Sequence, residues 1–399
     1  MSTDVMTNRL ELDSVADTAL KAAARLWYLT AVMGQLLFAF AVASFYTSAA
    51  VRGNFPAWNR FMSHGYVAGD SIGNAAVAAH LLVAVVIVLS GAIQLVPQVR
   101  HRAPSVHRWN GRLYMLSAFA ISIAGLYMNV TRGSRGDLSQ HLGIRLNAVL
   151  IMLFAVLALR SAMARDFKTH RRWALRLFLV VGGVWFTRIG VSLAVLLNKG
   201  PFGFDPNTFQ GPFLTFMSFA SYLLPLAVLE LYLRAGDGSS APGRMAMAAG
   251  LLVLAVATGA GVFAATMLFW LPSVRAAFDS RKSIAATLSG TIASRGIEEA
   301  VKQYHDLEAA EPASYDFDER ELNTLGYTLI RTHKLKDAIR IFQLNVQAYP
   351  HSSNVYDSLA EAYMDDGDRT QSIANYQKAL QLNPDNRGAA LSLQKLNAR

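Results

Sequence analysis

The chain has 399 residues, 53% of them hydrophobic and 16% charged, with a mean hydropathy of +0.28; soluble domains carry about 25% charged residues. It has no cysteine, which excludes disulfides, thiol catalysis, iron–sulfur ligation and thioether-linked haem. The net charge of +10 is uneven: residues 1–279 hold 23 Lys/Arg against 11 Asp/Glu, and residues 280–399 hold 14 against 16.

The basic excess travels with the apolar stretches, as topology signals and headgroup contacts do. Basic patches outside those stretches lack the interleaved aromatics of single-strand binders, so nucleic acid is not expected as a partner. Residues 1–25 are polar and mixed in charge, with neither a short apolar core nor a small-residue cleavage site, and read as a tail retained in the mature protein. Seven stretches of bilayer-crossing length follow, at about 26–50, 73–97, 111–131, 142–163, 173–198, 212–233 and 245–271. The expectation is an all-α polytopic bundle over 26–271. In the last stretch Ala257, Gly261 and Ala265 recur every four residues, a helix-packing face.

Linker charge sets the orientation. Fourteen Lys/Arg, from Arg9 in the tail through Arg100–Arg112 and Arg165–Arg176 to Arg244, fall on one side. Six fall on the other: Arg52, Arg60, Arg132, Arg135, Arg145 and Lys199. This predicts a cytoplasmic N-terminus in an inner membrane and, after seven crossings, a periplasmic C-terminal domain.

From about residue 281 the pattern becomes an amphipathic helical period with a 34-residue repeat. Leu322 aligns with Tyr356, Leu325 with Leu359, Gly326 with Ala360, Ala338 with Ser372, and Phe342 with Tyr376. A degenerate earlier copy carries Ala300, Tyr304 and Pro312, and Arg387–Arg399 reads as a capping helix. The segment 281–399 resembles a tetratricopeptide-repeat solenoid. That resemblance implies a concave groove for a peptide or partner helix, with Leu322, Tyr356 and Tyr363 as candidate contacts.

Nine histidines are present. His305, His333 and His351 fall in the repeats, and His64 and His101 in loops. His80, His107, His141 and His170 stand at the edges of four consecutive spans, alternating between the two sides. Bis-histidine ligation of a b-type haem needs two neutral imidazoles from facing helices in an apolar slot, with Arg or polar partners for the propionates. The pairs would be His80 with His141 on the outer side and His107 with His170 on the inner side. Arg108, Arg112, Arg171 and Arg172 suit inner propionates, and Arg145 suits an outer one. Arg188 lies eighteen residues past His170, about 27 Å at helical rise, at a depth where charge signals function by default. Asp70 and an outer propionate are its expected partners. The bland reading stays open: HRW and HRRW also suit headgroup anchoring, with Trp109 and Trp173 as belt residues, and Arg188 reaches headgroups by snorkelling. Glu230 is the acid placed deepest in a span, and no HExxH, GxSxG or P-loop pattern occurs.

His80, Gln94, Arg100, His107–Arg108, Gly111–Arg112, His170–Trp173 and Arg188, over about residues 70–195, together resemble a bacterial predicted-membrane-protein family, DUF2306, which has no established activity to transfer. In arrangement alone the four histidines are similar to di-haem transmembrane cytochromes b, including ascorbate-dependent ferric reductases, with His107 and His170 lying shallower than in that family. The expectations are a di-haem b electron carrier with a partner-binding repeat domain, a non-catalytic membrane-anchored repeat scaffold, or a transporter or lipid-handling protein with Arg188 in a polar cavity.

Overall fold

A computed structural model describes residues 3–60, 62, 65–67, 69–131, 136–205, 208–279 and 281–397. His64, Arg132 and Arg135, used above, lie outside them. The chain divides into two units, Met1–Phe278 and Asp279–Arg399.

The first unit begins with α1 (Thr3–Val51), one helix that runs straight through the segment read from sequence as a tail. Its charged first half is not solvent-solvated along its whole length. Asp13 and Asp17, one turn apart, both meet Arg244 at 2.5 and 3.0 Å, tying the extension to α9. After a 3-10 turn (Phe55–Arg60), α2 (Ser71–Gln94) starts at Asp70, whose carboxylate accepts the Gly73 N–H at 2.9 Å. The short α3 (Pro97–Arg102) leads into α4 (Pro104–Thr131). Helices α5 (Leu138–Met163) and α6 (Phe167–Val181) are capped the same way by Asp137 and Asp166. Then come α7 (Gly183–Asn198), α8 (Pro212–Gly238, with Pro225 inside) and α9 (Ala241–Ala265). A π-helical turn (Thr266–Trp270) joins α9 to α10 (Leu271–Phe278), seven residues beyond the end of the last stretch read from sequence.

Among the described residues six helices are long and apolar enough to cross a bilayer, and α6 with α7 pass the same test only as a pair, bent by 49° at their break. The sequence suggests a straight span at 173–198. The structure bends it at Gly182 because adjacent glycines have the weakest hold on helical geometry apart from proline. A Cβ on Gly183 would stand 2.8 Å from the Asn147 amide nitrogen. Close packing elsewhere also needs glycine: a Cβ on Gly261 would come within 2.9 Å of the Ile189 carbonyl oxygen. Small residues let backbones approach where lipid supplies no hydrophobic drive between helices.

The second unit is three helix pairs and a cap: α11 (Ile284–Arg295) with α12 (Ile297–Ala310), α13 (Glu319–Arg331) with α14 (Leu335–Ala348), α15 (Ser353–Asp365) with α16 (Arg369–Leu382), then α17 (Arg387–Asn397). Two-residue strands β1 (Lys282–Ser283) and β2 (Tyr315–Asp316) pair in parallel beside the first pair. The 34-residue positions are the core: Leu325, Gly326, Ala338, Phe342, Leu359, Ala360, Ser372 and Tyr376 are buried, as are Ala300 and Tyr304 of the degenerate copy. Leu322 requires a correction. It is 0% exposed in that core and has no surface to offer a partner. Tyr356 and Tyr363 keep part of their surface; the Tyr363 hydroxyl accepts from the Gln343 amide at 2.9 Å.

A Cβ on Gly326 would sit 2.5 Å from the Phe342 ring. Gly326→Ala should therefore destabilise the repeat unit by about 1–3 kcal/mol through overpacking, read as a lower unfolding midpoint of the full-length protein. Burial raises the Asp357 carboxyl above its ordinary range, with a hydrogen bond to Asn386 opposing in part. A raised folded-state pKa makes this group's contribution most favourable at acid pH, and it is lost as pH rises through the folded value. Asp357→Asn should raise the midpoint at neutral pH and change it less in acid, checked by thermal melts across pH.

Candidate functional site

The helices of the first unit surround a chamber of about 1330 Å³. His107, in the first turn of α4, and His170, in the first turn of α6, both line it. They are near enough for the charge of one to act on the other. The His170 contact fixes which nitrogen carries its proton. A carbonyl can only accept, so the 2.8 Å bond from His170 Nδ1 to the Ala158 oxygen puts the proton on Nδ1 and leaves the lone pair on Nε2. That is the second-shell arrangement usual for metal-ligating histidines. The Gln94 amide nitrogen donates to His107 Nε2 at 3.4 Å, which leaves the proton on Nδ1, buried and without an acceptor.

Gln94 is itself held in place. Its oxygen accepts from the Asn110 amide at 2.9 Å, and Asn110 also donates to the Ser90 carbonyl at 2.8 Å. Gly111 makes room for it, since a Cβ there would stand 2.9 Å from the Gln94 nitrogen. Sequence reading missed this chain; its signal was the polar pair Ser90 and Asn110 on consecutive spans.

Arg100, Arg108, Arg112 and Arg171 share the wall with the two histidines, and so does His101, which accepts from Arg100 at 3.3 Å. Arg112 also stacks over Trp109 at 4.6 Å. From α1, Trp27 and Tyr28 line the chamber, and Tyr28 donates to the Ala92 carbonyl at 2.8 Å. Ala257 and Gly261 both belong to this wall; Ala257 is exposed, whereas Gly261 and Ala265 are buried.

The outer candidates lie elsewhere; His80, His141, Arg145 and Arg188 are not in the chamber wall. His80 on α2 faces α4, with its Cε1 3.6 Å from where a Gly125 Cβ would be. Its Nδ1 is buried without a hydrogen-bond partner, and the charge of Arg188 reaches it. His141 sits in the first turn of α5, beside the capping carboxylate of Asp137. Arg145 donates to the Asn129 side-chain oxygen at 2.8 Å, bridging α5 and α4.

Arg188 stands 5.3 Å over the Phe38 ring, near Tyr46. Asp70, expected as a partner, caps α2 instead, and among the described residues no carboxylate pairs with Arg188. Arg176 meets Glu230 through two bonds of 2.8 and 3.0 Å and lies over Trp173, so the deep acid of α8 is half of an ion pair. Among the described residues no cluster of three or more His, Asp or Glu could hold a metal ion without further ligands.

Residues 77–224 match the model of a family described as Predicted membrane protein (DUF2306), and residues 353–386 match the tetratricopeptide-repeat model. No curated protein matches the chain. The protein thus carries a DUF2306 membrane domain and a C-terminal tetratricopeptide repeat.

Glu230→Gln should leave the Arg176 guanidinium, 17% exposed, without its counter-charge. A loss of about 1–3 kcal/mol is expected, seen as a lower melting midpoint in detergent, with little further loss in the Arg176→Leu/Glu230→Leu double variant.

Proposed function

Starting from a multi-pass DUF2306 domain joined to a repeat that recruits protein, we propose that the membrane domain carries b-type haem and moves electrons across the bilayer. The supporting observation is the inner pair: two imidazoles lining one largely apolar chamber, that of His170 with its Nδ1–H held by a carbonyl, with arginines in the same wall. The inner residues have the chemistry such a group needs. His170 offers Nε2 directly, and His107 offers Nε2 once the long Gln94 bond lets go. Arg108, Arg112 and Arg171 are the inner propionate partners. His80 and His141, with Arg188 and Arg145, are the outer set, and the orphaned Nδ1 of His80 beside an unpaired guanidinium favours a bound group there. Haem, when bound, supplies one-electron exchange at iron. The protein's residues bind and orient it, hold water out, and set its surroundings. The positive-inside count supports a cytoplasmic N-terminus, a periplasmic repeat domain and residence in the inner membrane.

A second reading rests on the repeat unit, whose stacked pairs leave Tyr356 and Tyr363 partly open: a non-catalytic scaffold anchored by the spans. The two differ in one experiment. Full-length protein purified from haem-replete cells should show a Soret band and a b-type pyridine haemochrome. His170→Ala should diminish both, and deletion of 281–399 should leave both intact. No band, with or without added haemin, defeats the electron-transfer reading; loss of partner capture on the same deletion supports the scaffold.

A further inference from the structure

The chamber has a charge pattern that two histidines do not account for. Its wall carries Arg100, Arg108, Arg112 and Arg171 and no Asp or Glu. Neighbouring arginines are neutralised: Arg172 by Asp237, Arg176 by Glu230 and Arg244 by Asp13. Among the described residues, the four in the wall have no ion pair. All four are exposed at the rim of an apolar chamber; such a group of guanidiniums attracts an anion, and a phosphate matches their forked geometry. Much of the rest of the wall is apolar. Leu193 on α7, Met217 on α8, and Leu251, Leu254 and Ala257 on α9 line it. The volume of about 1330 Å³ exceeds the roughly 300–1,000 Å³ of ordinary small-molecule sites, which suits a long flexible chain.

We propose that this chamber seats one anionic phospholipid, its phosphate among Arg100, Arg108, Arg112 and Arg171 and an acyl chain between α7, α8 and α9. Basic pockets between membrane helices hold anionic headgroups by the same electrostatics. The proposal goes beyond the haem reading and does not depend on it: Arg108, Arg112 and Arg171, offered above to inner propionates, hold the phosphate here, so at that end lipid and inner haem are alternative occupants.

The test is native mass spectrometry of the detergent-purified full-length protein titrated with dioleoyl phosphatidylglycerol and, in parallel, dioleoyl phosphatidylcholine. One phosphatidylglycerol should bind at least tenfold more tightly than phosphatidylcholine, and millimolar inorganic phosphate should not displace it. Arg108→Gln/Arg112→Gln should bring the two lipids within about threefold. Ala257→Trp and, separately, Leu193→Trp should weaken both lipids by filling the chain's space. Equal affinities in the wild type, a preference untouched by the arginine substitutions, or binding untouched by both tryptophans in folded protein each overturn the proposal. The absorption spectrum of the same samples keeps the two readings apart: selective lipid binding without a Soret band removes the haem reading alone, and a Soret band without lipid selectivity removes this one.

Discussion

The bilayer offers no water to a polar group, and the first unit is organised by that shortage. Backbone amides are satisfied by helix formation. Side chains must find one another, and most do so across helix boundaries: Asn110 bridges Ser90 and Gln94, Arg145 holds Asn129, Arg176 holds Glu230, and the Tyr222 hydroxyl donates to the Gly143 carbonyl. Against this background the exceptions carry information. Among the described residues, Arg188 lacks a carboxylate and the buried Nδ1 atoms of His80 and His107 lack a partner, as do the hydroxyls of Tyr114 and Ser122 and the Trp185 ring nitrogen. The functional readings begin at the first three and at the exposed arginines of the chamber rim.

The repeat unit solves a different problem, in water, with the same economy of small residues. Gly326 and Ala360 let a partner helix bring its aromatic side chain, Phe342 or Tyr376, against the backbone. Leu322, Leu325 and Leu359 then close the interior between pairs. Each pair buries its face on the next, so the degenerate first pair and the final helix serve as ends of a stack rather than as further copies.

Much of this was legible in the residues. Hydropathy found every long apolar helix, though α1 begins well before the first span read and α10 extends past the last, and the 34-residue period found the pairs of the repeat, including Ala300 and Tyr304 of the degenerate copy. What failed did so for physical reasons. The polar stretch over 1–25 gave no sign that Asp13 and Asp17 have a partner, because Arg244 lies more than 200 residues away. Gly182–Gly183 looked like two small residues in a continuous span, since nothing local reveals that Asn147 crowds the site. Leu322 looked like a contact because periodicity marks a face without saying whether that face is groove or core. At the candidate site, sequence picked out His107 and His170. It missed Ala158, whose backbone oxygen defines the His170 tautomer, because a carbonyl has no side-chain signature.

The bend at Gly182 also divides the labour of one span. His170 and Arg176 belong to its first rod, which Glu230 anchors to α8, while Arg188 belongs to the second. The joint is packed rather than open, since a Cβ on Gly182 would come 3.2 Å from the Phe186 ring. His170 and Arg188 are therefore carried by two rods of different direction, and the aim of one is not fixed by the aim of the other.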